Sequence, residues 1–252
     1  MGDSAKDKVK EILKKVTERT TPEEMAALKE TFKDIIKDAN PMVIAAAESE
    51  LVKEGATLND LMKACDIHLE MFKDVIKNPN LKLPEDHPIT SFQHDHVNIL
   101  NLMEKFIETI KALKAKGSFE TGEKEMHRLS LIGEKLLEAE NHNVRQENTL
   151  FPILERHGIE QPPAIMWHDH TEMKEQKKQI IKVIKEAEAS GFNLFISRLE
   201  PLAVSLLEKF AGHTQKEENI LYVTAVNVIT EEEWKDIKEE CDNLGYFIPN
   251  IK

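Results

Sequence analysis

The sequence predicts an all-α protein: an up-down-up-down four-helix bundle preceded by a small helical domain. Three observations predict it. Charged residues make up 32% of the chain while aromatics make up 6% and glycines number 9 in 252 residues, a balance that suits long solvated helices rather than sheets. Apolar residues recur at three- and four-residue spacing along nearly the whole chain. Four long periodic stretches follow one another with short, glycine-marked breaks, which implies antiparallel neighbours.

The N-terminal elements come first. Residues 6–19 carry Val9, Ile12, Leu13 and Val16 at helical spacing. Thr21-Pro22-Glu23-Glu24 combines an N-cap, a first-turn proline and a capping-box glutamate, and opens a helix with Met25, Leu28, Phe32 and Ile35 inward. Asn40-Pro41 opens the next helix, which Gly55 stops, and Thr57 caps a fourth with Leu58, Leu61, Cys65, Leu69 and Phe72 on one face. Residues 78–86 are proline-punctuated and aperiodic, and read as the linker after an N-terminal domain at 1–80. In that domain Cys65 and His68 stand three apart; a buried thiol beside a helix-edge histidine is favoured over a metal pair.

The bundle is expected over 87–229. Its first helix runs over about 88–116, its second over 122–157, its third over 163–190 and its fourth over 193–229, with a bend at Pro201. Glycines 117, 158 and 191 end the first three. Residues 230–252 hold a last short helix, capped by Thr230 and stopped by Gly245.

Composition narrows the partners. Asp and Glu outnumber Lys and Arg by 46 to 34, a formal charge of −12, which disfavours nucleic acid and anionic membrane surfaces. No apolar run approaches the ~18 residues of a membrane span. The N-terminal stretch lacks a signal-peptide core, and two distant cysteines form no disulfide framework, so a cytoplasmic protein is expected.

The second half contains a repeat, and the repeat carries histidines. His94-Asp95-His96 in the first helix matches His168-Asp169-His170 in the third. His142, Gln146-Glu147-Asn148 and Leu150-Phe151 in the second match His213, Glu217-Glu218-Asn219 and Leu221-Tyr222 in the fourth. His96 lies on the stripe of Phe92, Ile99 and Met103, and His170 on that of Met166 and Met173. His94 lies about 200° from its apolar stripe, and His168 is likewise off its own. One imidazole from each of four helices, with carboxylates one turn later, would meet in an apolar interior where unpartnered polar groups are costly. A lone histidine on such a stripe is ordinarily a core residue, but four at matched spacing point to a metal centre. Mixed imidazole and carboxylate donors suit iron, manganese or zinc. The candidate ligands are His96, His142, Glu147, His170, His213, Glu217 and Glu218. His87 is expected at the N-cap of the first bundle helix, and His127 and His157 on the surface.

The stretches His142 to Pro152 and His213 to Tyr222, with the pairs Asp95-His96 and Asp169-His170, resemble the hemerythrin-like HHE cation-binding domain. Leu51 to Phe72 resembles the uncharacterised helical domain often found ahead of such modules, and the tail from Thr230 resembles the segment that leads into a PAS sensor domain. The resemblance implies a non-haem di-iron centre of two iron ions, with zinc or manganese also compatible. It implies ligands His96, His142, His170 and His213, with Glu217 as a bridging carboxylate. Two departures stand out: Gln146 occupies the usual glutamate position of the second helix, with Glu147 next to it, and Met166 occupies the position of a second histidine in the third. The function implied is a sensor or binder of oxygen, nitric oxide or redox state. The alternative is a redox enzyme or iron-donating repair protein using the same site. The expected partners are a small gaseous or oxidant ligand, with a signalling domain or a homo-oligomer.

Overall fold

The structure, a computed structural model, describes residues 2–15, 23, 47, 50, 51, 53–55, 81 and 83–250. The expected caps at Thr21, Asn40 and Thr57, and the Cys65–His68 pair, lie outside the described residues. All regular structure among the described residues is helical.

Contacts divide the chain into two compact units, each discontinuous in sequence. The first comprises Met1–Lys82, Phe151–Trp167 and Gln215–Thr230. Its helix α1 (Gly2–Lys15) buries Val9 and Ile12, and Ala47 and Leu51 are buried as well. Lys6, Lys10 and Lys14 recur every four residues on another face of α1. Lys6 and Lys10 reach Glu50 at 2.5 and 3.1 Å; Lys10 also pairs with Glu54, which Lys14 reaches at 2.7 Å. Ion pairs this open to solvent contribute little each and act mainly on register. Gly55 has φ +100°, a left-handed conformation that suits the helix stop its position predicts.

The second unit comprises Leu83–Leu150, His168–Thr214 and Glu231–Lys252. Helix α2 (Pro88–Lys116) starts at Pro88, where a missing N–H costs nothing, and ends at Gly117 with φ +79°. The second stretch is segmented: α3 (Glu123–Glu138), α4 (Glu140–Arg145), a π-helical turn (Gln146–Leu150) and α5 (Phe151–Arg156). The third is α6 (Gln161–Lys185) with the short α7 (Ala187–Ser190). The fourth is α8 (Phe192–Lys216), which runs through Pro201, then a second π-helical turn (Glu217–Leu221) and α9 (Tyr222–Val228). Helix α10 (Glu231–Leu244) follows.

The core of this unit is built from the stripes read in the sequence. Ile99, Met103, Phe106 and Ile110 of α2 meet Leu129, Ile132 and Leu136 of α3, Met173 and Ile180 of α6, and Phe195, Leu199, Leu206 and Phe210 of α8. A Cβ on Gly133 would stand 3.0 Å from Ile181 and 3.2 Å from Ile184, so the missing side chain lets α3 approach α6 closely. The polar residues lie at one end of this core.

Candidate metal centre

His96, His142, His170 and His213 are all buried, none more than 2% exposed. Each stands on the stripe its periodicity assigned. Two groups of ligand atoms each lie within 4.8 Å of one another: His96, His142 and Glu217, and His170, His213 and Glu217. Glu217 is common to both. It follows His213 by one turn of the same helical run and opens the second π-turn.

The four imidazoles are held by carboxylates. His142 Nδ1 lies 3.3 Å from Asp95 Oδ2, and His213 Nδ1 lies 3.2 Å from Asp169 Oδ2. Glu147 Oε1 lies 2.8 Å from His170 Nδ1. A carboxylate on Nδ1 fixes the proton there and turns the Nε2 lone pair inward, the arrangement that orients metal-ligating histidines. The inward nitrogens do converge: His170 Nε2 and His213 Nε2 are 3.0 Å apart. With both Nδ1–H groups donated to carboxylates, two lone pairs point at each other. They repel unless a cation, proton or metal, lies between them, so the donor set fits a bound metal ion.

His142 is completed differently. Gln146 Nε2 lies 2.8 Å from its Nε2, so the amide donates to the same lone pair that Asp95 exposes. Gln146 is fully buried and occupies the repeat position of Glu217, so one half carries a neutral amide where the other carries a carboxylate. Apolar rings wall the site. Phe92 lies 5.6 Å from the His142 ring, and Phe210 lies 6.2 Å from His96 and 6.4 Å from His213.

The remaining candidates fall elsewhere. Glu147 orients His170 and belongs to neither group of ligand atoms, and half-buried Glu218 also stands outside both. Exposed His94 faces Glu85 at 3.7 Å, and His168 faces Glu172 at 3.4 Å. His87 caps α2, its Nδ1 accepting from Ile89 N at 3.1 Å. His127 and His157 are exposed. Met166 is buried.

Three participants escaped the sequence reading. Asp95 and Asp169 were visible only as parts of a motif; their position directly before an inward histidine, in both repeats, was the available signal. Arg145 is fully buried and bonds Asp95. Its signal was a second cation, buried Lys216, at the matching position of the repeat. The two π-turns were a third omission. They start four residues after His142 and His213, and such turns cluster at functional sites because they re-aim side chains without ending the helix.

Comparison with known families agrees with this geometry. The hemerythrin HHE cation binding domain matches residues 87–226, and a family of unknown function, DUF438, matches residues 9–78. No curated protein matches the chain. The first match spans more than half of the chain, and its clustered histidines and glutamate fit a metal-binding protein: the chain belongs to the hemerythrin HHE cation-binding family.

Proposed function

We propose that the protein holds two iron ions and uses them to bind oxygen, nitric oxide or another small oxidant as a sensor. His96 and His142 would hold one ion, His170 and His213 the other, and Glu217 would bridge them. Glu217 carries this reading, because a single buried carboxylate shared by two histidine pairs is the simplest scaffold for a dinuclear centre. The same donors accept zinc or manganese. An iron pair supplies reversible redox change and open positions for a small ligand.

The protein's own contribution is orientation and exclusion of water. Asp95, Asp169 and Glu147 fix three imidazoles. Phe92 and Phe210 keep the surroundings apolar, which strengthens every charge interaction inside. With Gln146 and Met166 in place of an acid and an imidazole, the centre has fewer strong donors than the repeat could supply, which favours an exchangeable ligand position.

Anaerobic, reduced, iron-loaded protein exposed to oxygen or nitric oxide tests this reading. A visible absorption band that appears with the gas and reverses on its removal is expected. An unchanged spectrum in fully loaded protein would contradict it. Continuous consumption of the oxidant without a lasting band would favour the redox enzyme instead.

A further inference from the structure

We infer that Arg145 is a positioning residue that couples the His96–His142 half of the metal centre to the end of the C-terminal helix α10. This rests on the metal-binding reading above and goes beyond it. Arg145 is fully buried, and its guanidinium uses every edge and both faces. Nη2 donates to Asp95 Oδ2, Nη1 to Ser91 Oγ at 3.1 Å, and Nε to Asn141 Oδ1 at 3.2 Å. Its Cζ lies 5.1 Å from the centre of the Phe92 ring and 4.7 Å from that of Tyr246.

Two of these contacts lead to α10. Asn141 Nδ2 donates to the carbonyl of Leu244, the last residue of that helix, at 3.2 Å. Tyr246, just beyond it, donates its hydroxyl to Asp242 at 2.5 Å, which holds the ring in place for the cation. Gly245 between them has φ +78°, so the chain turns back sharply enough to bring Tyr246 to Arg145.

The other end of the chain of contacts is the metal-facing histidine. The oxygen that accepts from Arg145, Asp95 Oδ2, is the one that faces His142 Nδ1. A dication on His142 Nε2 makes Nδ1–H a stronger donor and repels the guanidinium. Both effects make His142 and Arg145 compete for one oxygen, and the load on Arg145 moves to Asn141 and the Tyr246 ring. The end of α10 is therefore seated more firmly when this half is filled. By linkage, removing the Tyr246 ring weakens metal binding by the same factor.

Zinc(II) titration of the full chain against a competing chelator tests this. Tyr246→Ala should weaken one of two zinc equivalents by about threefold to tenfold, a cation–π contact's worth. Tyr246→Phe, which keeps the ring, should bind like the wild type. Asn141→Ala gives an independent second variant and should weaken the same equivalent. A merely structural role would lower the melting temperature of zinc-free and zinc-loaded protein equally and leave affinity alone. Wild-type affinity for both equivalents in Tyr246→Ala and Asn141→Ala would overturn the coupling while leaving the metal site standing. Failure of the wild type to bind zinc, iron(II) or manganese(II) would overturn the metal reading and the coupling together.

Discussion

Asp95 Oδ2 lies 3.3 Å from His142 Nδ1, joining α2 to α4, and the repeat reproduces this as Asp169 and His213 at 3.2 Å. The two pairs place one carboxylate behind one inward imidazole in each half. Asp95→Asn keeps the shape and removes the charge. Metal affinity at the first half should fall by roughly 10- to 100-fold. Asp169→Asn should do the same at the second half, which equilibrium titration with a chelator resolves. Asp95→Asn should also cost more stability, because it leaves buried Arg145 without its carboxylate.

Gln146→Glu should separate the metal-free and metal-loaded states. Position 146 is fully buried, next to His142 and close in sequence to Glu147. A new carboxylate there costs roughly 1–3 kcal/mol without metal, since it adds buried negative charge. With metal bound it supplies the second acid that the repeat lacks. Thermal melting with and without metal should show a lower apo midpoint and a larger metal-dependent gain than in the wild type.

His87 predicts a pH dependence. Burial holds its pKa below the ordinary histidine value, against the opposing pull of Asp86. Its neutral Nδ1 caps α2, and its ring packs 4.5 Å from Trp234 of α10. Because the folded value is depressed, the unfolded chain takes up the proton first as pH falls. The cap's contribution is complete above about pH 6.5 and declines below it. His87→Ser keeps an N-cap acceptor without the titration. The difference in melting temperature between variant and wild type should shift in favour of the variant between pH 7.5 and 5.5.

Phe106→Ala tests whether the core and the site are separable. Phe106 is buried in the apolar cluster, ten residues and about 15 Å of helix rise from His96. Denaturant unfolding should show a loss of about 3–5 kcal/mol. Metal content of the folded variant should be unchanged.

Much of this was legible in the sequence because it rests on periodicity. Gly117, Gly158 and Gly245 end helices with positive φ, and Pro88 opens α2. The four inward histidines were legible because each sits on an apolar stripe and the repeat doubles the signal. Residues 122–157 read as one unbroken helix, whereas the chain breaks at Ala139 and again at the π-turn. A π-turn carries no residue signature; it forms where side chains must meet a neighbour that only the folded state supplies. Glu147 illustrates this. Its spacing from His142 suggested a ligand, but its direction depends on the π-turn and on where α6 places His170. Arg145 was illegible for a related reason, since its partners come from α2 and from beyond α10.

The most direct test of the account is metal stoichiometry in the wild type and in Glu217→Ala, measured by elemental analysis after anaerobic iron loading and desalting. The account predicts two ions per chain in the wild type and fewer than one in Glu217→Ala, because Glu217 serves both histidine pairs. No retained metal in the wild type, or two ions retained by Glu217→Ala, would contradict it.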